Sequence, residues 1–561
     1  MRYLEALGGG RRGLELNSEA KWGDWCGGMR TQLVAAWFER HGRRIAQAFA
    51  FLGCAGLHTL AFPPFETPEA AFVFLVPLLL WLRLGPSGKQ VFWTALPAFW
   101  VSWLVLIFWL RHVTFAGMVA LAGVVALHQA AFCLGAWWLT RRLARDGDWR
   151  GLPWALGVAG LWVASEHVRS WLFTGFPWLP LAASQWDRPF MLQSAAFLGS
   201  WGVSFALALL NAGLAAYLVR LAGYARSRRK GVCLEFYLSL AVLVGLTFLL
   251  ARLAAGQQRE PLLKAGVVQP AIPQDRKWDE AFARSILSRV ERYTLFLKPL
   301  RPDAVFWPEA SLPYPVMGDP GMRAWLEDLA TRLERPVLAG ALAVEGEDEE
   351  GGERWRNSVF MARPQWGLHP TYYSKRHLVP FGEYIPLRPL WPWMEKFVPI
   401  GGDFTPGEKP ALIPLVLPER TIRIGALICY EDVFPRLARE STLAGASVLF
   451  VATNSAWYGR SAAAAQHRAH SILRAVENRR VVLRVGNDGW SGWIDEFGNI
   501  RGSFDMWEIG STVFDIDRDR RWIGRETFYT RHGDWFAWLS WALAAACAGF
   551  GLRWPAGPPK G

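Results

Sequence analysis

Three side chains of the kinds that carry out acyl chemistry stand far apart in this 561-residue sequence. Cys429 follows the apolar run Thr421-Ile-Arg-Ile-Gly-Ala-Leu-Ile428 and opens Cys429-Tyr430-Glu431-Asp432. The spacing predicts a buried strand ending in a turn into a helical stretch through Glu440. A thiol on such a turn is expected to be exposed and close to helix N-terminal amides, which favour a thiolate and a developing oxyanion. It is the single cysteine between residues 262 and 525, since Cys26, Cys54, Cys133, Cys233 and Cys547 all lie outside that stretch. It therefore has no disulfide partner there, and its plain alternative is a small buried hydrophobe. A thiol nucleophile needs a base, and acyl transfer needs cationic or amide donors for the oxyanion. Glu309 lies just past the short predicted strand Asp303–Trp307, and the proline-flanked stretch Tyr373–Pro386 carries Lys375 and Glu383. Taken singly, Glu309 and Lys375 read as surface charges. His467 and His470 stand three residues apart on a predicted helix 462–479. With no acidic or cysteine third ligand nearby they read as surface helix, and no metal or cofactor is expected.

The elements that must hold these residues differ sharply along the chain. Hydrophobic residues make up 52% and charged residues 19%, against roughly 25% charge in an average soluble domain, so a disordered chain is excluded and a wholly soluble one is not expected. The mean hydropathy is +0.12. Apolar runs at about 45–62, 70–82, 90–110, 113–139, 151–171, 190–219, 232–252 and 535–552 predict eight membrane helices. The fifth carries Glu166, His167 and Arg169, intramembrane charges read here as a structural pair of Glu166 with Arg169. Between 262 and 525, short apolar strands alternate with amphipathic helices, the pattern of an α/β domain.

The net charge of +13 admits a nucleic-acid partner or a membrane topology, and the positions of the charges decide. Basic residues gather before the first span (Arg40, Arg43, Arg44) and in alternate loops: Arg83 and Lys89; Arg141, Arg142, Arg145 and Arg150; Arg220, Arg226, Arg228, Arg229 and Lys230. The intervening loops are poor in them. The bias places both termini in the cytoplasm and the 262–525 segment outside it, and removes the main support for nucleic acid. The expected division is a cytoplasmic extension 1–44 without the apolar core of a signal peptide, seven spans within 45–255, an extracytoplasmic catalytic domain at 256–530, and the eighth span with a cytoplasmic tail at 531–561.

Trp307-Pro-Glu-Ala-Ser311, Tyr373-Ser-Lys-Arg-His-Leu-Val-Pro-Phe-Gly-Glu-Tyr-Ile-Pro386 and Ile428-Cys-Tyr-Glu-Asp432, in that order, resemble the nitrilase superfamily with its Glu–Lys–Cys triad. On an eight-span scaffold, with Glu166-His-Val-Arg169 and Thr174-Gly-Phe-Pro-Trp178, the chain resembles apolipoprotein N-acyltransferases over about 45–553. That resemblance implies a membrane α-helical bundle carrying a nitrilase-like α-β-β-α sandwich. It implies Glu309 as general base, Lys375 as oxyanion cation and Cys429 as acyl-accepting nucleophile. It further implies supporting or substrate-binding roles for Glu383, Tyr430, Glu431, Trp278, Asn357 and Trp178. The implied partners are the bilayer, a phospholipid acyl donor (sn-1) and a diacylglyceryl-modified apolipoprotein acceptor, and the implied location is a bacterial inner membrane with the catalytic domain on the periplasmic side. Ser455 and Asp488 depart from the family pattern, which has aspartate and asparagine there. Two other readings stay open on the residues alone: a membrane-tethered amidase or nitrile hydrolase using water, and a transporter or scaffold with a degenerate domain.

Overall fold

Alternation along the strands accounts for the core of the catalytic segment. In the run preceding Cys429, Ile422, Ile424, Ala426 and Ile428 all point into one buried cluster, as the two-residue period of a strand requires. The computed structural model describes residues 41–144, 151–227, 232–249, 252, 254–347, 352–386, 388 and 403–553. Residues 1–49 form one unit, helical over its described residues 41–49, and residues 50–561 form another. Everything below concerns the second. The leader up to residue 40, the loop residues Arg145, Arg150, Arg228, Arg229 and Lys230, and the tail 554–561 lie outside the described residues.

Thirteen strands are described: β1 Arg259–Gln269, β2 Ala304–Phe306, β3 Val337–Glu347, β4 Glu353–Arg363, β5 Gly367–Leu368, β6 Tyr373–Ser374, β7 Leu412–Val416, β8 Thr421–Ile428, β9 Val448–Thr453, β10 Val481–Gly486, β11 Ser491–Ile494, β12 Ile500–Phe504 and β13 Gly510–Asp519. They form two sheets, ordered β13-β1-β2-β3-β4-β5 with β6 beside β4, and β12-β11-β10-β9-β8-β7. Leu263, Ala265, Val267, Phe306 and Leu338 of the first sheet meet Ile424, Ile428, Phe450 and Leu483 of the second in one cluster. Phe306 and Phe450 touch edge to face at 5.0 Å between ring centres. The opposite face of the first sheet, with Val305, Ala339 and Phe360, packs on helices at Glu280–Phe296 and Pro320–Leu333 through Ile286, Val290, Leu326 and Leu329. Helices at Pro435–Leu443 and Ala463–Asn478 cover the second sheet. This is the expected α-β-β-α sandwich.

At the centre of each sheet the pairs are parallel: β1 with β2 and β2 with β3; β8 with β9 and β9 with β10. Parallel strands end together, and functional groups collect where their carboxyl ends open into loops. Glu309 follows β2, Cys429 follows β8 and Asn454 follows β9.

Three described helices are long and apolar enough to cross a membrane: Phe115–Leu143, Ser200–Gly223 and Trp535–Leu552. Eight were expected, so the count by length and composition falls to three. Pro68–Leu82, Pro189–Leu198 and Leu234–Phe248 are apolar but short; 15 residues at 1.5 Å each span about 22 Å, less than a ~30 Å hydrocarbon core. The predicted sixth span breaks at Gly199 (φ 67°), which separates Ala195–Leu198 from the long helix beginning at Ser200.

Candidate active site

The three chemical residues of the sequence meet. Lys375 Nζ lies 2.9 Å from Glu383 Oε1 and 3.5 Å from Glu309 Oε1. Asn357 Nδ2 donates to the same two carboxylates, at 2.8 Å to Glu309 and 3.2 Å to Glu383. Lys375, Glu309 and Asn357 are buried, and Glu383 is partly so. The backbone explains how they converge. After β2 the chain turns through Ala310 at φ 44°, and Pro308 O lies so close to β3 that a β-carbon on Gly340 would sit 2.3 Å from it. Only glycine lets the Glu309 turn lie against that strand. From the other side β6 pairs with β4, Ser358 opposite Ser374, so the next residue, Lys375, emerges beside Asn357 and its amide donates to Asn357 O at 2.8 Å. Burial opposes the Lys375 ammonium, but the Glu383 and Glu309 carboxylates outweigh it and hold its pKa well above the ordinary lysine value.

Cys429 begins a 3₁₀ turn, Cys429–Val433, rather than an α-helix, and the α-helix starts only at Pro435. The thiol was expected to be exposed; it is buried, with 7% of its surface accessible. Burial pushes its pKa well above the ordinary thiol range, and Glu309 adds to that, while Lys375 and the Asn454 amide act the other way. The balance favours the neutral thiol over a preformed thiolate.

Glu431 ties the Cys429 turn to the lysine segment. Its carboxylate accepts from the amides of Arg376 (2.7 Å), His377 (3.1 Å) and Ile428 (2.7 Å) and from the Tyr373 hydroxyl (2.7 Å). Tyr430 ties the same turn to the loop after the helix Gly151–Arg169: its hydroxyl donates to Gly175 O at 3.2 Å. Trp178 is buried in that loop, donates to Gln466 Oε1 at 2.8 Å, and lies 5.3 Å from the His467 ring. Trp278 is not drawn into the cluster; it is 48% exposed, with the Lys277 ammonium 5.6 Å from its ring.

Two expectations are corrected here. His467 and His470 were read as surface helix, yet the helix Ala463–Asn478 is buried along nearly its whole length. One side packs on the second sheet, and the other packs under the apolar helices. Gln466 accepts from Trp109 at 3.0 Å as well as from Trp178, and donates to Pro63 O and Leu106 O, each at 2.8 Å. His470 accepts the Leu179 amide at 3.3 Å. His467 Nε2 lies 3.1 Å from Cys429 O and 2.5 Å from Asp432 Oδ1. Nor do Glu166 and Arg169 bond each other. Glu166 Oε1 accepts from the Trp162 indole (2.9 Å) and the Leu181 amide (2.7 Å), while Arg169 reaches Leu179 O and the face of Trp103. Both residues grip the loop that carries Trp178.

Sequence reasoning missed the network behind the thiol. Asp432 Oδ2 accepts from Ser471 (2.5 Å) and Arg484 (2.7 Å) in addition to the His467 bond on its other oxygen. A signal existed: His467, Ser471 and Arg474 recur at 3.6-residue spacing along a helix otherwise rich in alanine. It also missed Lys277, buried with Nζ 3.2 Å from Glu309 O; burial brings its pKa down to about 8. Asp488, one of the two family departures, has a buried carboxylate oxygen without a partner, and burial pushes its pKa up to about 6. Ser455, the other, is buried and closes on Gly489, where a β-carbon would sit 2.6 Å from the serine hydroxyl.

Comparison with known proteins follows the same division of the chain. Residues 54–213 match the family model of the apolipoprotein N-acyltransferase N-terminal domain, and residues 264–521 match that of carbon-nitrogen hydrolases. An apolipoprotein N-acyltransferase of Geobacter metallireducens is 32% identical over 514 residues, 89% of this chain and 94% of that one. One of Brucella suis is 31% identical over 551 residues, 93% and 97% of the two chains. One of Pseudomonas aeruginosa is 32% identical over 474 residues, 80% and 86%.

Proposed function

The chain belongs to the apolipoprotein N-acyltransferase family, and from that premise we propose that Cys429 carries an acyl group as a thioester between a phospholipid and a lipoprotein. The observation that carries this reading is the neutral thiol set against Glu309 and Lys375 on a turn bonded, through Tyr430, to a loop of the apolar helical region. Glu309 takes the thiol proton as sulfur attacks the sn-1 ester carbonyl. The oxyanion forms facing the Lys375 ammonium and the Asn454 amide. The ester C–O bond breaks, the proton passes from Glu309 to the departing alkoxide, and lysophospholipid leaves. In the second half the α-amine of a diacylglyceryl-cysteine attacks the thioester, Glu309 removes the amine proton, and the thiol is restored with the amide formed. A thioester divides one difficult transfer into two easier ones. Glu383 and Asn357 hold Lys375 and Glu309 in place, and Glu431 and Tyr430 shape the turn.

The site operates on lipids, and its setting fits that demand. Helices on both sides of the sandwich in sequence anchor it, so the thiol works next to the bilayer rather than in bulk water. The apolar helical region is taken to lie in a bacterial inner membrane, with the 256–530 domain on the periplasmic face. The alternation of Arg83 and Lys89, Arg141 and Arg142, and Arg220 with basic-poor loops supports that orientation. Reporter fusions at residues 300 and 225 are expected on opposite sides, and two cytoplasmic signals would reverse the assignment.

The deciding experiment is the intact mass of the purified protein after incubation with a palmitoyl phospholipid. An adduct of palmitoyl size on Cys429 is expected to persist until a peptide with a free α-amine on diacylglyceryl-cysteine is added. An N-acetylated peptide should leave it in place. Rapid release of free fatty acid without acceptor would make the protein a hydrolase.

A further inference from the structure

The turn that presents the thiol is strained, and it is held from behind. Cys429 has φ 51°, a left-handed conformation that a residue with a β-carbon avoids unless its surroundings over-determine it. Several bonds do so. Glu431 accepts the Ile428 amide ahead of the thiol. Arg474 donates to the carbonyls of Asp432 and Val433 after it, at 3.2 and 3.1 Å. His467 acts on the peptide carbonyl of Cys429 itself, at 3.1 Å. Both groups facing Nε2, that carbonyl and Asp432 Oδ1, are acceptors, so Nε2 carries the proton. The ring cannot turn away: Asp432 is fixed in turn by Ser471 and Arg484, and Trp178 and its neighbours close over the other side.

We propose that His467 is a positioning residue for acyl transfer. Its Nε2–H holds the Cys429 peptide in the left-handed conformation that keeps Sγ against Glu309 and Lys375. The role is distinct from that of a base, since the ring reaches the backbone of the nucleophile and not the sulfur. It rests on the reading of Cys429 as the acyl-accepting thiol. Released from this bond, the peptide relaxes toward an ordinary conformation, and sulfur moves off the carboxylate without any change in the lipid-facing surface.

The test uses the full chain in detergent micelles with a palmitoyl phospholipid, following adduct formation by intact mass in a single turnover. His467→Ala is expected to form the adduct about 10²-fold more slowly, the loss typical of a nucleophile displaced by an ångström. The donor concentration at half-maximal rate should stay within about threefold, since binding of lipid is untouched. His467→Gln, which restores an N–H donor on a longer side chain, should recover most of the rate. His467→Asn, one methylene shorter, should not. Adduct formation at the parental rate in His467→Ala overturns the proposal. So does an equal loss in the Gln and Asn variants that follows their melting temperatures, because that is the behaviour of a packing residue. If the Ala variant does not insert and fold, the Gln and Asn pair decides by the same criterion. Cys429→Ala runs alongside: an adduct that survives in it overturns the thioester reading itself, a failure separable from any result at position 467.

Discussion

The two sides of Cys429 are both buried and both charged, yet they are built on opposite terms. In front, one ammonium, Lys375, is shared between two carboxylates, Glu309 and Glu383, and Asn357 spreads its amide over the same pair while its own carbonyl oxygen has no partner. Behind, Asp432 is saturated by His467, Ser471 and Arg484, and its pKa is held well below the usual carboxylate range because the nearby cationic groups and hydrogen bonds outweigh burial. On the proposed reading, the unsaturated cluster takes and returns a proton. A saturated one cannot, and serves to fix shape. On that reading, one thiol stands between a region for proton traffic and a region for geometry.

That contrast can be broken by substitution, beginning where the effect is largest. Cys429→Ala should reduce turnover on the order of 10⁴-fold or more and leave no acyl adduct by intact mass, with the helices still inserted. Next come Lys375→Ala and Glu309→Gln, each expected to lower the rate of adduct formation ~10²–10³-fold in the single-turnover assay. If either variant kept its rate while His467→Ala lost its own, the roles of front and back would be exchanged.

Gln466→Leu tests the rear scaffold without touching the proton-carrying side. It strands the buried indole N–H groups of Trp109 and Trp178, and each orphaned buried donor costs about 1–3 kcal/mol. Thermal unfolding should shift down accordingly, while the rate measured on the folded fraction changes little. The smallest effect belongs to Asp488. Its folded pKa of about 6 lies above the ordinary aspartate value, so between roughly pH 4 and pH 6 the folded state binds more protons than the unfolded one. Stability therefore falls as pH rises through that window, and the full penalty stands above it. Asp488→Asn should melt higher than the parent at pH 8, by about 1–3 kcal/mol at most, and the difference should vanish at pH 4.

The front of the site was legible through three motifs taken together, around Glu309, Lys375 and Cys429; singly, Glu309 and Lys375 read as surface charges. Glu309, Lys375, Glu383 and Cys429 each follow a short apolar run or a proline-marked bend. The alternation of strands and helices was legible as an α/β domain, and the resemblance supplied the sandwich. The back of the site was not legible. His467 and His470 sit on a helix whose composition resembles an exposed one, and only tertiary packing from two directions buries it. Periodicity reports one buried face of an element and is blind to a second. Burial of Cys429 stood only as the alternative to an exposed thiol, since a turn read locally is a surface feature. Asp432 was hidden by its neighbour: Glu431 carried the motif, and nothing in a linear reading tells that both adjacent acids are buried, each with its own set of partners.

The pairing of β13 with β1, Arg259 opposite Asp519 and Gln269 opposite Gly510, bears on the order in which the fold is assembled. The first sheet gains its outer strand only after residues 510–519 have been made. The Gln466 bonds to Trp109 and Trp178 likewise join positions 357 and 288 residues apart. Contacts this distant in sequence form late and slowly. Until they form, the helix Ala463–Asn478 lacks the cover of Trp109 and Trp178, and with it the firm seat from which His467 reaches the Cys429 carbonyl.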